Sequence, residues 1–333
     1  MRKLPGFKAM NNPNPDIPNG RVTSPEPQPS SGEADSPHGG PRPPIPPGPR
    51  TPRGTSDGKA RISDVQSSPG DVQLPAPGGF DSHTHMDMME RPVDGVLAAA
   101  RAVGIGRVVN VGCDLPSSRW SVSCADEYAD VYAAVAIHPN ETSALDGRRE
   151  EVLAEVSALA RSPRVVAIGE TGLDYYRDWA DPAAQREWFR AHIEIARRTG
   201  KTLMIHDREA HADVLAILAE TGPWPPYSVI FHCFSGDAAM AAQCAEAGYV
   251  MSFAGNVTFK NADALREAAL VAPAELMLAE TDAPYLTPIP HRGKPNSPAM
   301  TAYTIRFLAE LKNLDLSDFC AHLQSTGARV FAW

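Results

Sequence analysis

The chain has 333 residues, a net charge of −9, and five cysteines without a Cys-x-x-Cys pair. No stretch approaches the roughly 18 uninterrupted apolar residues of a membrane helix, and the first residues lack the apolar core of roughly 7 to 15 residues that a secretory signal needs. An odd set of isolated cysteines argues against a disulfide framework, so a cytoplasmic protein with reduced thiols and no membrane partner is expected.

Residues 1–78 read differently from the rest. They hold 18 of the 32 prolines, including the run Pro41-Arg-Pro-Pro-Ile-Pro-Pro-Gly-Pro49, and almost no aromatic or branched apolar side chains. Such a segment cannot bury enough surface to offset its chain entropy and is expected to be disordered. Its charge is +2, from 9 Lys and Arg against 7 Asp and Glu, whereas residues 79–333 carry 22 against 33, a net of −11. An acidic body argues against clamping long duplex nucleic acid through many phosphates. A metal-centred pocket holding one strand end stays compatible with it.

From Gly79 onward short apolar runs alternate with longer segments of helical period, eight times over. The strands are expected at Gly79–His83, Arg107–Gly112, Val131–Ile137, Val165–Gly169, Thr202–Ile205, Ser228–Phe231, Tyr249–Phe253 and Leu276–Glu280. Helices are legible at Asp94–Val103, Pro182–Arg198, His211–Thr221, Asp237–Ala247, Pro298–Leu311 and Ser317–Phe331. The second of these opens with proline and closes with Arg197-Arg198-Thr-Gly200, a basic last turn followed by a glycine stop. Alternation of this kind implies right-handed βαβ units and a parallel sheet. Eight units in about 255 residues match a (β/α)8 TIM barrel, an α/β fold of that usual size. An open doubly wound sheet is the competitor, but no strand leads into Gly-x-Gly-x-x-Gly and no Walker A motif occurs.

The chemistry gathers at the expected strand ends. His83 and His85 lie two apart, so a strand of period two points both to one face, where they read as a chelating pair or as two polar loop residues. Asp81, on the same face, reads as an orienting group or an outer ligand. Glu170 follows an apolar strand buried on both sides, where a carboxylate needs a metal or an ion-pair partner. His206 and His232 end successive strands and together form a natural pair for a second metal, although each alone reads as a core histidine. Asp282, after the last strand, reads as a ligand that takes a proton from water, or as the cap of a short turn before Pro284. Asp174 and Tyr175 suit a turn. All six ligand candidates fall at the C-terminal ends of strands, the face on which barrel enzymes keep their sites. No Gly-x-Ser-x-Gly nucleophile elbow is present.

These segments resemble the TatD family of metal-dependent deoxyribonucleases, within the amidohydrolase-like barrels. The resemblance spans Phe80 to Phe331 and rests on Asp81-Ser-His-Thr-His-Met-Asp87, Ala136-Ile-His-Pro139, Ile168-Gly-Glu-Thr-Gly-Leu-Asp174, Ile205-His-Asp-Arg-Glu-Ala-His211, His232-Cys-Phe-Ser-Gly236, Glu280-Thr-Asp-Ala-Pro-Tyr-Leu286 and Arg292-Gly-Lys-Pro-Asn296. It implies two divalent ions, Mg, Mn or Zn. His83, His85, Glu170 and Asp282 would hold one, and Glu170, His206 and His232 the other. It also implies hydrolysis of a phosphodiester from the 3′ end of single-stranded DNA, with nucleic-acid ends as partners, DNA rather than RNA, and a monomeric enzyme. Asp282 and Glu170 would then be catalytic, and His138 and Arg208 would meet the scissile phosphate, their alternatives being a core histidine and a structural ion pair. Amidohydrolases with a modified bridging lysine carry it where this chain has Glu170. Gly79, Thr202, Ala212 and Ser297 depart from the family pattern, and none of them is a ligand. A small-molecule amidohydrolase using the same ions, and a non-catalytic protein whose Pro43-Pro-Ile-Pro46 recruits an SH3- or WW-like domain, are the other readings.

Overall fold

Each of the eight expected apolar runs forms a β-strand in the computed structural model, which describes residues 72–226 and 228–333. The strands are β1 Gly79–Thr84, β2 Ile105–Val111, β3 Val131–Val135, β4 Val165–Asp174, β5 Thr202–Arg208, β6 Val229–Phe231, β7 Val250–Phe253 and β8 Met277–Ala279. All pair in parallel in chain order. The last strand returns to the first just beyond its own end. Thr84 bridges Ala283, Asp282 N–H donates to the His83 carbonyl at 3.0 Å, and His85 N–H donates to the Ala283 carbonyl at 2.8 Å. These bonds close the sheet into a TIM barrel and exclude the open doubly wound alternative. This junction places Glu280–Asp282 against β1.

Helices α1 Val93–Ala102, α2 Leu115–Glu127, α3 Thr142–Leu145, α4 Arg149–Leu159, α5 Pro182–Thr199, α6 His211–Glu220, α7 Ala238–Glu246, α8 Asp263–Val271, α9 Thr301–Leu311 and α10 Leu316–Phe331 follow the strands. Their ends obey local chemistry. Asp114 and Ser117 form a reciprocal capping box on α2, Asp181 caps α5 ahead of Pro182, and Gly200 ends α5 in the left-handed conformation at φ 65°. The strands are buried on both faces, as parallel barrel strands must be, and Val, Ile, Leu and Ala side chains fill them. All five cysteines are free.

Most strand ends shift by one to three residues from the sequence reading: β3 stops at Val135 rather than Ile137, and β5 runs on to Arg208, so His206 lies inside it. Two larger differences bear on the site. Residues 72–78, assigned to the proline-rich lead, join the barrel: Leu74 is buried and its N–H donates to the Val103 carbonyl at 3.0 Å. The remainder of that lead, residues 1–71 and with it Pro43-Pro-Ile-Pro46, lies outside the described residues. Strand β4 also runs on to Asp174, so Glu170 sits inside it and Asp174 is its last residue rather than part of a loop. The cause is a bulge. Ile168 pairs with Leu203 but Thr171 with Ile205, so β4 spends one residue more than β5 over the same span. Gly169 makes room, since a Cβ there would lie 2.7 Å from the Met204 carbonyl oxygen, and Gly172, at φ 142°, would drive one into the His206 carbonyl. The extra residue sets Glu170 among the histidines of β1, β5 and β6.

Candidate metal centre

Ring nitrogens and carboxylate oxygens converge over the C-terminal mouth of the barrel, and Glu170 stands between two groups of them. Its Oε1 lies 3.6 Å from His83 Nε2 and 3.5 Å from His85 Nε2. The two imidazole nitrogens are 3.1 Å apart, and Asp282 Oδ1 is 3.8 and 3.5 Å from them. Its other oxygen, Oε2, lies 3.0 Å from His206 Nδ1 and 2.7 Å from His232 Nε2, which are 3.2 Å from each other. Donors about 2.1 Å from one ion sit roughly 3.0 to 3.4 Å from their neighbours in octahedral or tetrahedral arrays. Both groups have spacings close to that range. Without a cation the arrangement is unfavourable, because paired imidazole nitrogens repel when protonated and satisfy one partner at most when neutral. One cation in each group would satisfy every donor. His83 and His232 stack with centroids 3.9 Å apart at 14°, so the two groups are in contact.

The outer partners of these rings fix which nitrogen faces inward. His85 Nδ1 donates to the Val111 carbonyl at 2.9 Å, leaving Nε2 as the free lone pair. His232 Nδ1 lies 3.3 Å from Glu280 Oε1, which also accepts from Cys233 N–H at 2.7 Å. His206 Nε2 faces Asp174 Oδ2 at 3.5 Å. A carboxylate or carbonyl behind a ligating imidazole sets its tautomer and raises its basicity. Cys113 Sγ donates to Glu170 Oε1 at 3.4 Å, and burial pushes that thiol up to about 12, so it remains a donor.

Charge follows the same geometry. Burial opposes ionisation of Glu170, but the charges of His232, His83 and His138 together hold it well below the usual carboxylate range. Burial likewise opposes Asp282, and its hydrogen bond to His85 with the charge of His83 keeps it below its ordinary value. The centre therefore presents two anions to a cation. His83 is pushed down, first by burial and then by His232. His138, three residues beyond β3 at the start of a short turn, is pushed down to about 3 by burial and by His206. Its Nδ1 accepts from Asn140 N–H at 3.1 Å, which places the ring proton on Nε2, 3.9 Å from Glu170 Oε2. In that state it donates a hydrogen bond rather than a lone pair.

His83, His85, Glu170, His206, His232, Asp282 and His138 thus come together. Arg208 lies at the end of the same strand as His206, half-buried, with its guanidinium 3.9 Å over the Tyr176 ring and no ion pair among the described residues. Asp81 is engaged by Thr281. Its carboxylate accepts from Thr281 N–H at 2.9 Å and Thr281 Oγ1 at 2.5 Å, tying β1 to the segment that carries Asp282. Burial pushes Asp81 up to about 8, with the Thr281 donors pulling it down. Replacing Thr281 by valine removes one donor to that buried acid and the acceptor of Ala283 N–H. The expected loss is about 1 to 3 kcal/mol, or a melting temperature lower by roughly 2 to 10 °C. Calorimetry checks this, with the metal content of the variant unchanged.

Two orienting acids were not assigned this role from the sequence. Glu280 is fully buried immediately after β8, and its signal was a carboxylate ending an apolar run, the same signal that singled out Glu170. Asp174 serves the turn expected of it, accepting from Tyr176 N–H at 3.0 Å and Arg177 N–H at 3.1 Å, while its second oxygen accepts from Asn140 Nδ2 at 2.9 Å and faces His206.

Comparison with known proteins identifies the family. The family described as TatD related DNase matches residues 80–332. A protein of Mycobacterium tuberculosis named uncharacterized metal-dependent hydrolase TatD is 49% identical over 244 residues, covering 70% of this chain and 90% of that protein. The uncharacterized metal-dependent hydrolase YabD of Bacillus subtilis is 37% identical, over 76% of this chain and 98% of its own length. Among solved structures, YJJV, a TatD homolog from Escherichia coli, superimposes with a TM-score of 0.71 at 25% identity, covering 77% of this chain and 98% of that one.

Proposed function

The chain belongs to the TatD family of metal-dependent hydrolases, and from that footing we propose that it cleaves phosphodiesters at the 3′ end of single-stranded DNA, using two divalent ions of the Mg, Mn or Zn class. The observation that carries the two-ion reading is the division of Glu170, whose oxygens face separate histidine groups at 2.7 to 3.6 Å. In this reading His83, His85 and Asp282 hold one ion, His206 and His232 the other, and Glu170 both. Such ions supply Lewis acidity towards phosphoryl oxygens and water whose pKa falls from about 15.7 towards 7. Asp282 takes the proton of the attacking water. It suits that task because its side chain keeps 17% of its surface open while Glu170 is closed in at 5%, so the proton has a route to solvent. His138 donates from Nε2 to a non-bridging oxygen, and Arg208 meets the phosphate from the end of β5. Glu280 and Asp174 hold the His232 and His206 rings in place.

The acidic barrel supports a short substrate contact over a long one. With a net charge of −11 over residues 79–333, grip on many successive phosphates is disfavoured, whereas one strand end over a cationic centre is not. The test is incubation of the metal-loaded protein with end-labelled single-stranded DNA and, in parallel, with cyclic amides. Stepwise loss of nucleotides from the 3′ end, abolished by a chelator and restored by added ion, is the expected result. Amide hydrolysis without cleavage of DNA would overturn the reading in favour of a small-molecule amidohydrolase.

A further inference from the structure

Six large apolar side chains are markedly exposed among the described residues, and four of them, Met88, Tyr176, Trp179 and Tyr285, lie on loops that follow β1, β4 and β8. Those loops rise from the barrel face that carries the metal centre. In a ring of eight strands paired in chain order β4 stands opposite β8, so the aromatics flank the centre from two sides.

The β4 pair is mounted rather than loose. Tyr176 is 58% and Trp179 62% exposed, yet each ring carries a guanidinium on one face, Arg208 at 3.9 Å and Arg177 at 4.1 Å. The first turn of the loop hangs from Asp174 Oδ1, the carboxylate whose other oxygen faces His206. Beside it, the Tyr175 hydroxyl donates to Asp213 Oδ2 at 2.6 Å and accepts from Arg186 at 2.8 Å. Across the mouth Tyr285 is 57% exposed, three residues after Asp282, and its hydroxyl lies 3.9 Å from Met88 Sδ. Flat rings held by cations beside a phosphodiester centre are the chemistry that takes unpaired nucleobases, which stack on π faces whatever their sequence.

Resting on the phosphodiesterase reading above, we infer that Tyr176 and Trp179 on one side and Tyr285 on the other are stacking faces for the nucleobases that flank the scissile phosphate. Recognition then reads unstacked bases rather than base edges, so the substrate is a single-stranded or frayed end of any sequence. Arg208 is shared, with its planar face on Tyr176 and its N–H groups turned to the phosphate. Stacking supplies the grip that the acidic barrel cannot obtain from phosphates.

The experiment compares the wild-type full chain with Trp179→Ala, which leaves Arg208 on Tyr176, and with Tyr285→Ala, all loaded with manganese. Three substrates are used: an unpaired oligonucleotide, the same oligonucleotide with abasic residues beside the cleaved end, and, as a small diester without any ring to stack, a deoxyribose dinucleotide lacking both bases. These side chains are exposed, so their removal leaves the core intact. The expected result is a KM for the oligonucleotide raised roughly tenfold in the Trp179→Ala variant, as loss of a stacked base implies, with hydrolysis of the small diester within about twofold of wild type. On the wild type, the abasic oligonucleotide shows the same loss, and the variant adds little to it. If wild type cleaves both DNA and the small diester but the variants leave the oligonucleotide KM unchanged, stacking is refuted and the phosphodiesterase reading stands. An equal loss on both substrates makes the rings structural and also refutes it. If wild type cleaves neither phosphodiester, the underlying reading fails, and the stacking faces with it.

Discussion

Glu170→Ala is expected to abolish the binding of both ions and to lower phosphodiester hydrolysis by a thousandfold or more. Glu170 sets one oxygen against each group of histidines, Oε1 against His83 and His85 and Oε2 against His206 and His232. Its removal takes a ligand from each ion and leaves four imidazoles facing one another across a cavity. The Lewis acidity at stake is worth several kcal/mol of transition-state stabilisation, and at about 1.36 kcal/mol per factor of ten that is roughly a thousandfold. Glu170→Gln makes the sharper comparison. Its amide keeps one oxygen and turns an NH2 group towards the other histidine pair, so it is expected to retain about one ion per chain with activity still strongly reduced. Elemental analysis of both variants after dialysis, read beside their turnover, checks the pair.

Asp282→Asn is expected to do the opposite, leaving the metal content nearly intact while turnover falls roughly 10²- to 10⁴-fold, the usual contribution of a positioned acid or base. Asparagine keeps an oxygen to face His83 and His85 but has no lone pair basic enough to take a proton. The backbone favours this substitution as a clean probe. Asp282 lies at φ 51°, a conformation that aspartate and asparagine adopt far more readily than most residues. Alanine there would add backbone strain to the chemical loss. Single-turnover assays at saturating ion separate the two effects, and an Asp282→Asn protein with wild-type turnover would remove the residue from its role as base.

The barrel and the metal centre were legible in the sequence to different depths. Eight apolar runs alternating with helical segments led to the closed parallel sheet because strand and helix periods are local properties, and Gly200 marked a helix end because few other residues take its backbone angles. His83, His85, His232 and Asp282 could be placed because each lies near or just after the last residue of a strand, and a barrel brings all such ends to one face, whereas His206 lies two residues inside β5, which runs on to Arg208. Glu170 is more instructive. Its burial was evident from Val165-Val-Ala-Ile-Gly169, but its position inside a longer strand depends on one extra residue against β5, and that register belongs to the pairing of two strands rather than to either one. Asp174 looked like a turn residue and is one, yet its second oxygen faces a histidine in the next strand. Glu280 likewise orients His232 across 48 residues of chain. The stacking of Arg208 on Tyr176 was not legible at all, since loop aromatics have no period and this one's partner is set by how the loop after β4 approaches the end of β5.

The most direct measurement of the whole account is a titration of the chelator-stripped wild-type protein with manganese while release of 3′-terminal nucleotides from single-stranded DNA is followed. Activity should be absent at zero ion and rise to its plateau at two equivalents per chain. A plateau at one equivalent, or nucleotide release that persists without any ion, would contradict a centre in which Glu170 joins two metals.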